Sequence, residues 1–306
     1  MTVYYITGVA LGILGGILTQ FGQLLEKQAV NLVRIDSPGK GFMTRLFKNR
    51  TWVLGVTFGL GGGTAAYMAA QSMIGPALTP GLMASGLIVL AIGSVHMNHE
   101  AINTSEKAGI ALMILGILLL GLSQLAIDQI QVRATLADRA ALARIAVFTV
   151  SLFIISSLTR GMAARVSGRQ GMLIALANGF LACLSDFWIN PLLALIVIVL
   201  GGNGSSTQAI LFVIAALILM TTATVITWQN QLAFKVAQAS NVVPVAQVPI
   251  QISPILVYFF IFALKPPSAV SVIYILGGTV LTILSGFLLG RRKEDPLEWE
   301  TPGGPP

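Results

Sequence analysis

Asp186 places the greatest demand on its surroundings. It stands inside an apolar run, 170–200, together with Asn178, Ser185 and Asn190. At roughly 100° per residue these four fall within about 140° of a helical wheel, so they can line one stripe. A carboxylate at bilayer depth costs roughly 2.5–3.5 kcal/mol on translocon scales and therefore faces a cavity or a partner. No basic residue lies within the same run. The chemistry open to Asp186 is binding of a cation, a proton or a polar solute. The structural alternative is a protonated acid bonded to a neighbouring helix, or a loop acid if the run is two spans.

Amides extend the pattern. Gln20, Gln23 and Lys27 form a polar stripe in the first apolar run, and Gln247 and Gln251 stand at i, i+4 in a later one. Asn230 lies in the cluster Trp228-Gln229-Asn230-Gln231 before Lys235, which also reads as an interfacial belt. Amide oxygens coordinate cations or hold solutes, and they equally join helices at roughly 0.6–2 kcal/mol each. Pro244, Pro249 and Pro254 flank the Gln247/Gln251 pair and free backbone carbonyls, which at membrane depth are tolerated only inside protein or beside a water-filled cavity. The candidate substrate-binding set is Asp186, Asn178, Asn190, Gln20, Gln23, Gln247, Gln251 and Asn230. No metal ligand set is assigned.

Other chemistries are poorly served. Cys183 is the sole cysteine, which excludes an intrachain disulfide and a cysteine metal cluster. His96, His99 and Glu100 close the third apolar run; their spacing is not H-E-x-x-H, and they read as a solvated cytoplasmic helix end. The glycine runs 59–63 and 201–204 lack the Lys-Ser/Thr of a phosphate-binding loop, so no nucleotide and no other cofactor is expected. Glycines at spacing four, Gly8, Gly12, Gly16 and Gly55, Gly59, Gly63, read as close helix packing.

The elements that must position these residues are membrane helices. Of 306 residues, 55% are apolar and 9% charged, against roughly a quarter charged in soluble domains. A span needs roughly 20 apolar residues. Runs at 3–27, 51–73, 77–97, 108–127, 144–161, 170–200, 208–232, 242–264 and 269–290 meet that length, giving about nine transmembrane helices in an all-α polytopic membrane protein. The net charge of +7 belongs to topology rather than to nucleic-acid binding. With nine spans, 14 of the 18 basic residues fall on one side, whereas splitting 170–200 into two spans gives 11 against 7. The positive-inside bias thus favours one long sixth helix, kinked near Asn190-Pro191, an extracellular N-terminus and a cytoplasmic C-terminus.

This layout predicts two inverted four-helix repeats, 1–127 and 170–292, joined by a linker with a fifth helix, 128–169, and followed by a disordered cytoplasmic tail, 293–306. Pro76 and Pro80 in one repeat answer Pro244 and Pro249 in the other, and Gly109…Gly116 answers Gly277…Gly286. In such proteins the substrate site lies near the midplane between the repeats.

The ordered motifs carry a resemblance. Trp52-Val53-Leu54-Gly55, Ala65-Ala66-Tyr67, Thr79-Pro80, Glu100 with Gly109 and Gly116, Asn230-Gln231-Leu232-Ala233, Val242-Val243-Pro244-Val245 and Gly277…Gly286 together resemble the drug/metabolite transporter superfamily, closest to its NIPA-like magnesium transporter branch. The resemblance covers most of the chain between Val3 and Arg292. It implies nine spans with an extracellular N-terminus and a transporter of a small solute or cation, Mg²⁺ included, working by alternating access in the cell membrane. The alternative is an exporter of a metabolite or drug; an intramembrane enzyme or scaffold ranks below both. Expected partners are the small-molecule or cation substrate, the lipid bilayer and a second copy in a homodimer, with no nucleic acid. One departure bears on substrate. The magnesium branch carries a Gly-Glu-x-x-Asn element in helix two, where this chain has Leu60 and Gly63. Asp186, on another helix, is the candidate replacement for the missing carboxylate.

The charge count makes a direct prediction: a cysteine placed in 38–44 stays unlabelled by an impermeant thiol reagent applied to intact cells. Labelling from outside reverses the orientation and removes the inverted-repeat argument.

Overall fold

The computed structural model describes residues 2–33, 42–74, 79–83, 85–100, 102–123, 125, 127, 129–166, 168–202 and 204–289. Pro76, residues 34–41 of the basic loop after the first run, Arg291, Arg292, Lys293 and the predicted tail 293–306 lie outside these residues.

Among the described residues every regular element is helical: α1 (Thr2–Leu32), α2 (Phe42–Lys48), α3 (Arg50–Ile74), α4 (Thr79–Met83), α5 (Gly86–His96), α6 (Thr104–Leu122), α7 (Gln129–Ala137), α8 (Arg139–Ala163), α9 (Gln170–Leu200), α10 (Ser206–Val236), α11 (Ala239–Ile261) and α12 (Ala269–Leu289). Eight of them, α1, α3, α6 and α8 to α12, are long and apolar enough to cross a membrane. The third apolar run differs from the continuous span expected over 77–97. It is divided into α4 and α5, and the 11 residues of α5 reach only about 16 Å, half the hydrocarbon thickness. The division is tied off locally: Ser85 donates from both its backbone N (3.2 Å) and its Oγ (2.7 Å) to the Leu82 carbonyl. The polar connection after α6 likewise contains a short helix, α7, that apolar periodicity does not reveal.

The ambiguous run is one helix. α9 continues for 31 residues, about 46 Å, through Pro191. Proline has no N–H to give to the preceding turn. Asn190, beside it, sends its Nδ2 back to the Asp186 carbonyl at 3.2 Å.

Capping chemistry sets several helix starts. Asn49 Oδ1 accepts from Trp52 N at 3.2 Å before α3, and Asp138 accepts from Ala140 N and Ala141 N before α8. Reciprocal capping boxes, Asn103 with Glu106 and Ser205 with Gln208, open α6 and α10.

Helix packing is set by small residues. A Cβ on Gly22 of α1 would lie 2.5 Å from the Gly55 carbonyl oxygen and 2.6 Å from Gly59 N of α3. One on Gly86 of α5 would lie 2.2 Å from the Gly16 oxygen of α1. Likewise α6 and α12 meet at Gly116, Gly278 and Thr282, and Ser285 Oγ donates to the Gly109 carbonyl at 2.6 Å. Of the glycines read at spacing four, Gly16 and Gly55 meet neighbouring backbone, at Met83 and Gly22, while Gly8 and Gly12 meet the side chains of Ile74 and Leu82. Two π-helical segments, Thr57–Gly63 in α3 and Val257–Ile261 in α11, widen the turn locally.

α9 is central to the later helices and packs on α8, α10 and α11, while α11 also touches α1, α5, α6 and α12. One apolar cluster, including Leu24, Leu87, Leu90, Met113, Phe234, Val242 and Leu289, joins helices from both ends of the chain. The outward faces are apolar as well: Ile210, Val213, Leu217 and Met220 on α10, and Ile273, Leu276, Val280 and Phe287 on α12, are exposed. That is the distribution of a protein whose solvent is lipid.

Inserting a side chain where α1 meets α3 should break this contact. Gly22→Leu is expected to cost about 1–3 kcal/mol or more by overpacking, read as a lower unfolding temperature in detergent. Gly161→Leu on α8, where nothing lies within 4 Å, should leave that temperature unchanged.

Candidate functional site

Asp186 sits in the middle third of α9, partly accessible, with Tyr67 of α3 and Cys183 of its own helix within electrostatic reach. The ion pair found among the described residues, Arg144 with Asp138 at 3.9 Å, does not involve it. Asn190, one turn on, accepts from Gln71 Nε2 of α3 at 3.4 Å. Gln71 is thus a polar neighbour that sequence reading missed. On the adjoining face Ser185 and Thr222 share a hydrogen bond of 2.6 Å between α9 and α10.

The structure joins some of the sequence-predicted amides and separates others. Asn178 donates Nδ2 to Asn230 Oδ1 at 2.7 Å, linking α9 to α10. Gln251 donates to Gln247 at 3.1 Å, so this pair satisfies itself within α11. Gln20 is buried against Gly86 of α5, and Gln23 lies one turn further along α1. A common feature emerges: Gln20, Gln23, Gln71, Asn178, Gln229 and Gln231 each carry a buried side-chain oxygen with no donor among the described residues. A buried acceptor left alone costs about 1–3 kcal/mol. In every such amide the atom without a partner is oxygen, the ligand type of hard cations.

A second polar group lies where α10 ends and α11 begins. Lys27 of α1 donates to the carbonyls of Phe234 and Ala237, the latter at 2.8 Å. Glu100 accepts from Ala239 N (2.8 Å) and Ser240 N (3.0 Å), the first amides of α11. A cation thus meets the negative end of one helix and a carboxylate meets the positive end of the next. Glu106 holds Asn103 N at 2.7 Å and Asn241 Nδ2 at 2.9 Å, and Glu26 accepts from Gln231 Nε2.

Glu100 requires a correction. It was expected at a solvated helix end, yet it is 6% exposed because the amides of α11 cover it. His96 and His99 are exposed. His99 takes φ 54°, the left-handed turn that carries the chain from α5 into Glu100. In the Trp228 to Gln231 cluster the indole is exposed and Gln229 and Gln231 are buried, so only Trp228 fits a lipid-interface belt. The roles of Glu26, Glu100 and Gln231 were not read from sequence. Only Glu106 had a local signal, the Asn103-x-x-Glu106 capping box.

Comparison with known families decides the relationship. The family described as magnesium transporter NIPA matches residues 3–295. The chain belongs to this family. No curated protein and no solved structure matches it. Membership agrees with the drug/metabolite superfamily motifs, and eight apolar helices make the chain a multi-pass membrane protein of a magnesium-transporting family. Among the described residues no three His, Cys, Asp or Glu side chains come together as a metal cage.

The paired helix ends give a stability prediction. Glu100→Ala removes a charged acceptor from two buried amides and should cost about 1.5–3 kcal/mol per hydrogen bond at most. Glu100→Gln, which retains one acceptor oxygen, should cost less. Unfolding temperatures of the purified protein check the order.

Proposed function

We propose that this chain moves Mg²⁺, or a closely related divalent cation, across the cell membrane by alternating access, with Asp186 as the charged ligand. The observation that carries this reading is a half-buried aspartate midway along a central membrane helix, beside α3, with no cationic partner among the described residues. Asn178, Asn190, Asn230, Gln20, Gln23, Gln247 and Gln251, with Gln71 added, are the polar lining along which a partly hydrated ion exchanges waters for amide oxygens. Family membership supports a cation as cargo.

The same reading has two inverted repeats, 1–127 and 170–292, rocking about the linker 128–169, with α4 and α5 together forming the ninth span. The N-terminus is extracellular and the C-terminus cytoplasmic. The positive-inside count supports this orientation.

Export of an organic metabolite or drug is the second reading. It is favoured by Leu60 and Gly63, which stand where the magnesium branch has a carboxylate and an amide, and by a lining rich in hydrogen-bonding amides.

Flux into proteoliposomes, with Mg²⁺ set against a panel of amino acids, amines and sugars, separates the two. Asp186→Asn keeps size and hydrogen-bonding capacity but loses the charge, so Mg²⁺ flux per correctly inserted protein should fall at least tenfold. Wild-type flux in that variant at every pH ends the assignment of Asp186. Asp186→Leu tests the structural alternative, which predicts loss of folding there and normal flux in Asn.

A further inference from the structure

We infer that Glu26, Gln23 and Gln231 form a second cation station, at the end of the bundle where α1 and α10 finish, distinct from Asp186. Resting on the proposed cation transport, it adds a binding site for the same class of ligand: a partly hydrated divalent ion.

Glu26 lies six residues before the end of α1 and is buried. One of its oxygens, Oε2, accepts from Gln231 Nε2 of α10. Gln231 is fully buried, and its own Oε1 has no donor among the described residues. Gln23 stands three residues before Glu26, on the same helix face, and its Oε1 is also buried without a donor. Three side chains from two helices therefore present acceptor oxygens in one neighbourhood.

The opposite wall is backbone. A Cβ on Gly55 of α3 would lie 3.0 Å from Glu26 Cγ, and one on Gly59 would lie 4.0 Å from Glu26 Oε1. The carboxylate thus faces α3 where its π-helical segment begins.

The nearest cation in sequence does not neutralise it. Lys27 points about 100° around the helix from Glu26, and its ammonium is held by the carbonyls of Phe234 and Ala237 and by the field of Glu100. A divalent ion with one carboxylate, amide oxygens and retained waters satisfies this set.

The station lies apart from the first site. Gln231 is next to Asn230, which accepts from Asn178, and Asn178 lies eight residues before Asp186 on α9, about 12 Å along the axis.

The test is ion stoichiometry on the full chain in lipid nanodiscs, with Mn²⁺ as the spectroscopic probe and Mg²⁺ as competitor. Wild-type protein should bind two Mg²⁺-competable Mn²⁺ ions, Glu26→Gln one, Asp186→Asn one and the double variant none. Glu26→Gln retains an acceptor for Gln231, so its unfolding temperature without metal should match wild type. Gln23→Met, which keeps the volume and removes the oxygen, should weaken one site at least threefold and leave the other. Two sites of unchanged affinity in both Glu26→Gln and Gln23→Met, or a single wild-type site that persists in Glu26→Gln, overturns the inference. If instead Asp186→Asn keeps two sites and full flux, the Asp186 assignment fails while the Glu26 station stands.

Discussion

Backbone carbonyls and amides at a helix end have no water to turn to inside a bilayer. The short turn between α10 and α11 exposes both kinds at once, the last acceptors of one helix and the first donors of the next. Lys27 and Glu100, from α1 and the segment after α5, cover them with charges of the matching sign. The early and late helices are therefore joined by an interaction that neither could replace alone. The apolar cluster of Leu24, Leu87, Leu90, Phe234 and Val242 joins the same helices. Glu106 and Asn241 extend the contact to α6.

Away from that turn the bundle is held by proximity rather than by charge. Glycines let α1 approach α3 and α5, and α6 approach α12, until backbones touch. Gly179 of α9 does the same against α11, where a Cβ would meet the Ala246 oxygen and Pro249 ring carbon at 2.4 Å. Between these tight contacts run the amides and Asp186. The tight packing fixes the walls, and several of these amides keep a buried oxygen with no donor among the described residues.

How far all this could be read in advance depends on range. The spans follow from apolar length, and charge counting correctly kept 170–200 as one helix. Hydropathy is blind to the turn at Ser85, which depends on one side chain and one carbonyl, so the third run looked continuous. Asn178 and Asn230 were each picked out as polar residues in apolar runs, but their pairing across 52 positions was not legible. Glu100 differs from its expected place because its local neighbours, His96 and His99, are exposed, while the amides that bury it arrive 139 residues later. Gln71, near the end of α3, carried no local signal of its place beside Asn190.

That same distance along the chain has a consequence for biosynthesis. Lys27, Glu26 and Glu100 leave the ribosome long before Phe234, Gln231 and Ala239 exist. A nascent chain inserted as far as α9 holds two carboxylates and an ammonium that lack the groups they bond in the finished protein. The early helices must stay near the headgroups or within the insertion machinery until the α10–α11 turn is made. Its arrival then commits the assembly. Truncated chains that never reach it display unmatched charge, a mark by which membrane quality control can recognise them.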